Sequence, residues 1–536
     1  MKADVSRSTF DPQKQYSAVL MQQGRVQIDA DWNEQQAINR HRADAFAGNV
    51  IGASGMPISG ITGVANGFRI TDEGDRLRIG KGHGYVSGLL CLNEDASDAE
   101  QTIPFESQPF WQAPADPSDP GEVRPGLVYL EAWERHVTAV DEPGLLEPAL
   151  DGVDTTTRVQ TIWQVKFAPV EGDVQRTWSG IVDPWSAAGA GTMRVEVPSP
   201  GVRAASGLEA PGSGYRGLEN TLFRVEIFQG GTAPPQRAAP AAHYVWARDN
   251  ASFLSSVTDI VETQLDGQVA AAQLTLSSLG RDEFSAYAVG NIVAVYTPSS
   301  ERDASWNTPP GGLFKVATVK PEEQAIVVTA ITGAPSEISF LTGLTGTANL
   351  ILARRWDNTA RVTADVPLAL RDNIQVVFSP GRYRTGDAWQ IPVRASQIGL
   401  HGDDQGAILW PLEDEQGSAQ PAYRALPSQT PAHHFCQLAV ITGAAGSFEV
   451  QDLRPVFPQL TGLVRLVHVS GQGQALQLAS ASSVPELAPF AVQVVNWNTP
   501  IEGARVEFTI EPTENPSMSD PGFLYAADAG QPPTSG

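Results

Sequence analysis

Hydrophobic and polar residues alternate along much of the chain, in short runs that glycine and proline separate. Residues 221–231 are the clearest example, because Phe223 and Ile227 fall on one side of a strand and Arg224 and Glu226 on the other. A period of two is typical of antiparallel strands with one buried face, so we expect the polar side to face outward. Strand-like runs also occur at residues 126–137, 159–170, 374–394 and 433–442.

Residues 29–52, "DADWNEQQAINRHRADAFAGNVIG", have a different pattern and predict the best helix of the chain. Asp29 or Asp31 can cap its first turn, and Glu34, three residues after Asp31, completes a capping-box pattern. The apolar stripe of this helix is weak, and two interpretations stay open. The helix is either a surface element packed on a sheet edge or part of a segment that docks on a neighbouring subunit. The stripe consists of Trp32, Ile38, Ala45 and Phe46.

These patterns predict a mainly β protein of several antiparallel sandwiches or barrels, with one N-terminal helix and one inserted small barrel. A chain of 536 residues exceeds what one hydrophobic core supports, so roughly two to four domains are expected. The predicted order is an attachment segment at 1–52, a β scaffold at 53–254, an inserted barrel at 255–353, the scaffold again at 354–460, and an immunoglobulin-like segment at 461–536.

The C-terminal segment contains few strands for an immunoglobulin-like sandwich, which needs about seven. Three convincing strands and at most a fourth follow Leu463. We therefore expect that the chain stops inside a domain, or that this segment completes its core against the preceding domain or a neighbouring subunit. The apolar side chains in need of cover are Val506, Phe508 and Ile510.

The chain is strongly acidic, with 60 Asp and Glu against 36 Lys and Arg and a net charge of -24. An acidic surface repels phosphate groups, which argues against nucleic acid and anionic membranes as partners. The N-terminus lacks the apolar run of a signal peptide, and no stretch approaches the roughly 18 apolar residues of a membrane span. We expect the protein to fold in the cytoplasm without membrane insertion.

No residue pattern predicts a catalytic centre, a cofactor or a metal site. The two cysteines, Cys91 and Cys436, are expected to be buried free thiols, although a disulfide between them stays open. Of His433 and His434, only one can share a strand face with Cys436, so a structural strand is favoured over a metal site. We expect no enzyme activity, while a pair of carboxylates that cleaves glycans depends on spatial spacing and stays open.

Tryptophan is the most informative residue type for a binding function. Six of the 12 tryptophans lie in strand-like runs, where core packing is the expected role. An exposed indole that stacks on a sugar ring is the functional alternative. The six are Trp133, Trp163, Trp246, Trp356, Trp389 and Trp410.

Four groups of motifs, taken in order, resemble a family of poorly characterised bacterial proteins found with gene clusters for phage-tail-like contractile injection systems. They are "STFDPQKQYSAVLMQQGRVQIDADWNEQ", "VYLEAWERHVTAV" with "DTTTRVQTIWQVK", "ENTLFRVEIFQGG" with "VWARDN", and "YRTGDAWQIPVR" with "HHFCQLAVIT". The resemblance covers roughly residues 4–460, and "NTPIEGARVEFTI" near the C-terminus is similar to bacterial immunoglobulin-like adhesin repeats.

The resemblance implies a structural or accessory component of such a particle, at the baseplate or in a fibre, assembled in the cytoplasm with later release left open. We expect other particle subunits as partners and a homo-oligomer. A glycan-binding or adhesive surface protein, with a cell-surface glycan as ligand, is the alternative, followed by a polysaccharide-degrading tailspike. The residues expected to dock are Phe10, Tyr16, Leu20, Asp31, Trp32 and Glu34.

Overall fold

Antiparallel β-strands dominate the protein in a computed structural model, which confirms the mainly β class that the alternating pattern predicts. The chain divides into two compact units, one of Met1–Met56 with Asn66–Pro455 and one of Pro57–Ala65 with Val456–Gly536. The structure describes residues 3–58, 65–73, 76–93, 101–109, 111, 124–170, 172–196, 215, 217–233, 241–267, 269–280, 286–302, 305–331, 335–345, 350–395, 407–413, 423–429, 432–443, 448–458, 464–470, 491–496 and 499–506.

One long helix precedes several short strands at the start of the larger unit. Helix α1 spans Asp29–Val50 and follows an arm, residues 3–28, that has a 3-10 turn at Pro12–Lys14 and no other helix or strand. The next strands are β1 Ser54–Pro57, β2 Ile70–Asp72, β3 Leu77–Gly80, β4 Gly82–Val86, β5 Leu89–Asn93 and β6 Thr102–Pro104. Strands β1, β4 and β5 pair in that order, and so do β2, β3 and β6.

Two long strands, β7 at Gly126–Val137 and β8 at Arg158–Ala168, lie side by side in a four-stranded antiparallel sheet. Strand β25, His434–Thr442, pairs with β7 on its other side, and β26, Glu449–Asp452, follows. The order β26-β25-β7-β8 leaves β8 at the edge of this sheet. Short 3-10 turns flank these strands at Phe105–Ser107, Pro143–Leu145 and Pro148–Leu150.

Part of the polar face of this sheet is covered rather than open to solvent. Helix α2, Val174–Val182, and the 3-10 turn Asp183–Trp185 follow β8, and Trp178 meets the ring of Tyr129 at a centroid distance of 6.4 Å. Gln164, on the polar side of the alternation, is therefore buried. The local pattern predicts the strand correctly, but it does not predict the helix that covers it.

A large hydrophobic core packs against a five-stranded sheet, whose strands lie in the order β19 Asn358–Arg361, β12 His243–Ala247, β10 Thr221–Gln229, β23 Ala388–Arg394 and β24 Ala407–Ile408. Phe223, Val225 and Ile227 of β10 are buried on its inner face as predicted. Phe223 lies opposite Ile391 and Val225 opposite Trp389 of the neighbouring strand. Smaller sheets pair β9 Met193–Glu196 with β21 Gln375–Phe378 and β20 Leu368–Ala369, and β11 Gly231–Ala233 with β22 Gly381–Tyr383.

A closed six-stranded barrel occupies residues 254–356, close to the bounds of the predicted insertion. It lies between β12 and β19, which pair with each other, so the chain leaves the five-stranded sheet and returns to it at the same place. The order of strands is β13-β14-β17-β16-β15-β18. Its elements are β13 Leu254–Leu265, β14 Val269–Leu276, β15 Ile292–Tyr296, α3 Pro298–Arg302, β16 Gly311–Lys320, a 3-10 turn Pro321–Glu323, β17 Ala325–Ala330, α4 Pro335–Leu344 and β18 Ile351–Trp356.

The expected outward position of Arg224 is wrong, since only 3 % of this residue is exposed. The barrel covers the second face of the five-stranded sheet, and Arg354 of the barrel lies 3.6 Å from the carboxylate of Glu226. Arg224 makes an ion pair of 2.6 Å with that same carboxylate. Buried charges need partners of this kind. Glu226 lies on the same strand as Arg224, whereas Arg354 comes from a strand that is distant in sequence.

The smaller unit contains β27 Val456–Phe457, β28 Val464–Ser470, β29 Ala491–Asn496 and β30 Thr499–Pro500. The last three form an antiparallel sheet in sequence order. Val506 is half-buried, whereas Phe508 and Ile510 lie outside the described residues. The immunoglobulin-like sandwich and its completion therefore stay predictions.

Candidate functional site

The arm and α1 present extensive uncovered apolar surface. Residues 12–29 are exposed throughout except at Val19, and the buried residues of α1 are Ala30 and Ile38. The aromatic side chains that are more than half exposed in the described part of the chain all lie here: Tyr16 at 58 %, Trp32 at 57 % and Phe46 at 68 %. Exposed aliphatic neighbours are Leu20, Met21, Val26, Ile28 and Val50. Several exposed apolar side chains gathered in one segment are typical of an interaction surface.

Hydrogen bonds rather than apolar burial hold the arm against the rest of the protein. The side-chain amide of Asn250 donates to the Val5 carbonyl at 3.1 Å, and the Val19 amide donates to Gln35 at 2.7 Å. Helix α1 is tied to β7 by an ion pair of 2.9 Å between Arg40 and Glu134, and to the arm by the Asn33–Ser6 and Thr9–Glu34 hydrogen bonds. These bonds fix the conformation of the arm, while the apolar side chains of the arm stay uncovered.

The six residues predicted to dock differ in exposure. Leu20 is the most open, with 84 % of its surface exposed, and Tyr16 and Trp32 are also exposed. Phe10 is half-buried, and its ring lies 5.5 Å from that of His41. The remaining two, Asp31 and Glu34, are half-buried as well.

The capping box predicted at Asp31 and Glu34 is wrong. The N-cap of α1 is Ile28, which has no side-chain cap, and the helix already begins at Asp29. Asp31 lies in the first turn, where its charge interacts favourably with the helix dipole. Glu34 accepts a hydrogen bond from the Thr9 hydroxyl, so this carboxylate joins the arm to the helix instead of capping it.

A groove of about 1160 Å³ runs along one face of α1. The helical wall extends from Asp29 to Asp44, which corresponds to about 22 Å at 1.5 Å per residue. The first residues of the arm and residues 154–159, which lead into β8, form the other walls. The charged lining consists of four carboxylates, Asp4, Asp29, Asp44 and Asp154, and two arginines, Arg40 and Arg158.

The edge of β8 beside this groove has main-chain groups that point away from the sheet. At Val165, Gln108 bonds both of these groups, accepting from the amide at 2.6 Å and donating to the carbonyl at 3.0 Å. Directions alternate along an antiparallel strand, so the amides of Val159 and Thr161 also point outward. Among the residues that the structure describes, no hydrogen-bond partner faces Val159 or Thr161.

Sequence reasoning missed a buried charged cluster between β7 and β8. The Glu131 carboxylate bonds Nδ1 of His433 at 2.6 Å and Nζ of Lys166 at 2.6 Å. The His433 ring is stacked between Trp133 and Trp185, with centroid distances of 4.9 and 3.8 Å. A glutamate inside the apolar run "VYLEAW" was the available signal, since a buried carboxylate requires partners.

Two opposed effects set the pKa of Glu131. Burial by itself raises it, but the Lys166 ammonium and the hydrogen bond with His433 outweigh burial and lower the pKa to about 2. Glu131 is therefore ionised at neutral pH and fixes the orientation of the imidazole. A cavity of about 160 Å³ lies beside His433, and Arg224, Arg354 and Arg384 contribute to its lining.

The cysteines and the histidine pair agree with the structural interpretation. Cys91 and Cys436 are free and buried, as predicted, and burial raises the pKa of Cys91 to about 12, with a smaller contribution from neighbouring Cys436. His434 begins strand β25, in which Cys436 pairs with Leu130. In the described ranges, no three His, Cys, Asp or Glu side chains are grouped to hold a metal ion. The absence of a cofactor and of enzyme activity stays a prediction.

The prediction that six tryptophans pack in cores is confirmed. Each is less than a tenth exposed, and the Trp163, Trp389 and Trp410 indole N–H groups donate to main-chain carbonyls. The other three are Trp133, Trp246 and Trp356. None of these six forms an exposed platform for a sugar ring.

No helix in the described part of the chain is both long and apolar enough to span a bilayer.

Comparison with known proteins gives one relationship. Neither the curated proteins nor the solved structures contain a match to this chain. A family model described as "Family of unknown function (DUF6519)" matches residues 1–181 and 195–502, which is most of the sequence. The chain therefore belongs to the DUF6519 family.

Proposed function

We propose that the protein is a structural component of a phage-tail-like contractile injection particle, at the baseplate or in a fibre, and that it docks through its arm and α1. The observation that carries this proposal is the location of the exposed apolar side chains. Tyr16, Trp32 and Phe46 are the most exposed aromatic residues of the described chain, and they share one N-terminal segment.

The free-energy cost of ordering this segment favours a partner that covers it. Fixing an extended stretch of chain costs about 1–2 kcal/mol per residue in backbone entropy. Residues 12–29 recover little of that through burial, since all except Val19 are exposed. A partner that covers Leu20, Met21 and Val26 would bury their apolar surface at about 25 cal/mol per Å². The resemblance of the arm motif to proteins of injection-system gene clusters supports particle subunits as that partner.

The test is incorporation into purified particles. A variant with Leu20→Ser, Met21→Ser and Val26→Ser should fold normally, because these side chains are exposed, and should be lost from particles. Its matched control is Val261→Ser, Val269→Ser and Val289→Ser, three exposed valines that belong to the barrel region. The control should incorporate like the natural protein. Wild-type occupancy of the arm variant would contradict the proposal.

A glycan-binding role is less well supported. It requires an exposed aromatic platform, whereas the exposed aromatic residues coincide with the segment that we assign to docking. The same particles allow a direct comparison, because the arm variant leaves the exposed aromatic residues unchanged. A glycan-binding role on those residues predicts that this variant keeps both its occupancy in particles and its attachment to cells.

A further inference from the structure

The later part of the arm, residues 12–28, has a charge opposite to that of the protein as a whole. Residues 12–28 contain Lys14 and Arg25 and no Asp or Glu, whereas the whole chain carries a net charge of -24. The groove along α1 has the complementary sign, with four carboxylates against two arginines. A cationic segment is therefore attracted to this groove, and the groove exists on every copy of the chain.

The arm also has the chemistry of a strand without a sheet. Residues 16–21, "YSAVLM", are rich in apolar and β-favouring side chains. Among the described residues, one hydrogen bond involves the main chain of this stretch: the Val19 amide donates to the side chain of Gln35. If these residues adopt a strand, the amides of Ala18 and Leu20 point away from Gln35, because directions alternate.

The edge of β8 is a sheet edge to which such a strand can pair. Its outward main-chain groups at Val159 and Thr161 have no partner among the described residues, and the edge is closed further along, where Gln108 bonds Val165. The open stretch adjoins the groove, which Val159 itself lines. Open edges of this kind accept an added strand from another chain.

We propose that residues 16–21 of a second copy of this chain pair with the edge of β8 at residues 159–163, with the cationic arm lying in the acidic groove. This inference rests on the proposed function in one respect, namely that the arm is a docking element, and it names the partner as a neighbouring copy. Because donor arm and acceptor edge are different surfaces, the contact is head-to-tail and produces a ring or a filament rather than a twofold dimer.

A cysteine cross-link tests the contact directly. One batch of full-length protein carries Leu20→Cys and a second batch carries Val159→Cys, and the two are mixed under mild oxidation. Both positions are exposed, while Cys91 and Cys436 are buried and do not interfere. We expect a disulfide-linked pair of chains that contains one chain of each batch. The matched control replaces Val159→Cys by Val289→Cys, which is exposed outside the groove, and should give a several-fold lower yield.

A second variant tests the strand pairing itself. Thr161→Pro removes an outward amide that makes no hydrogen bond within the described chain, so the sheet should persist while the cross-link is lost. Arg25→Glu should reduce the cross-link through charge repulsion, and higher salt should reduce it in the natural background. Equal yields at Val159 and Val289 would overturn the proposal, as would an undiminished cross-link in the folded Thr161→Pro variant.

The outcomes separate this inference from the proposed function. A specific cross-link together with normal particle incorporation of the arm variant refutes docking on the particle through the arm and keeps the contact between copies. Loss of incorporation without a specific cross-link keeps the particle role and refutes the neighbouring copy as the partner.

Discussion

Substitution of Glu131 by Gln should destabilise the protein at neutral pH and have much less effect in acid. The carboxylate is buried between Lys166 and His433, with 2.6 Å to each, and its side chain is 7 % exposed. Glu131→Gln keeps the size of the side chain but removes the charge, so Lys166 loses its counter-ion. Removal of one member of a buried ion pair is costly because the other charge stays behind.

The magnitude follows from the pKa of Glu131, which falls from the usual 4.5 to about 2 in the folded protein. At 1.36 kcal/mol per pH unit, this depression corresponds to about 3 kcal/mol of stability. Because the folded-state pKa is the lower one, the stabilisation is complete above the unfolded-state pKa and disappears as the pH falls toward 2. Roughly 2 kcal/mol of it should be lost by pH 3.

Urea titrations followed by tryptophan fluorescence measure the free energy of unfolding, and Trp133 and Trp185 stack on His433 as local reporters. The natural protein should exceed Glu131→Gln by about 3 kcal/mol at pH 7 and by about 1 kcal/mol at pH 3. Glu134→Gln is the matched control in the same strand. Burial raises the pKa of Glu134 despite the opposing effect of Arg40, so its linkage has the opposite sign.

The control therefore predicts a different profile. A raised folded-state pKa destabilises the protein as the pH rises, so loss of the Glu134 charge should not produce a deficit that shrinks in acid. A Glu131→Gln deficit that is the same at pH 7 and pH 3, or an identical profile for Glu134→Gln, would refute the electrostatic account of the cluster.

Three further predictions concern packing. Trp389→Ala, at a fully buried site, should reduce the free energy of unfolding by about 3–5 kcal/mol in urea titrations, whereas Trp32→Ala should change it by less than about 0.5 kcal/mol. Cys91 and Cys436 should resist a thiol reagent in the native protein and react after unfolding, and a fast native reaction would contradict their burial. Replacement of residues 249–356 by a short Gly/Ser linker should preserve the pairing of β12 with β19 but uncover the apolar side chains of Phe228 and Val245. Gel filtration should therefore show an associated protein, and a monodisperse one only when Phe228 and Val245 are both changed to Thr.

The sequence alone determined most of the strands and the single long helix. Alternation in β10 assigned Phe223, Val225 and Ile227 to the core, because side-chain direction in a strand depends only on local geometry. The same reasoning approximated the barrel between β12 and β19, since its strands pair with one another. Burial of tryptophan and cysteine followed from their side-chain chemistry.

Tertiary structure decided which polar faces are covered. The pattern around Arg224 is that of an exposed strand face, but the barrel covers it, and Gln164 is buried near α2 in the same way. A tertiary contact also decided the role of Glu34, which accepts a hydrogen bond from Thr9 of the arm instead of capping α1. A local pattern cannot specify contacts that depend on where distant strands lie.

The same limit explains the charged cluster and the docking surface. Glu131 and His433 are 302 residues apart in sequence, and the sheet order β25-β7-β8 brings them and Lys166 together. Apolarity by itself predicts burial of Leu20 and Val26, and only the family resemblance placed Leu20 among the docking residues; the folded chain leaves both exposed. Burial requires an opposing surface, so the exposure of a side chain depends on how all strands and helices are arranged. Among the residues that the structure describes, this chain provides no such surface for Leu20 and Val26.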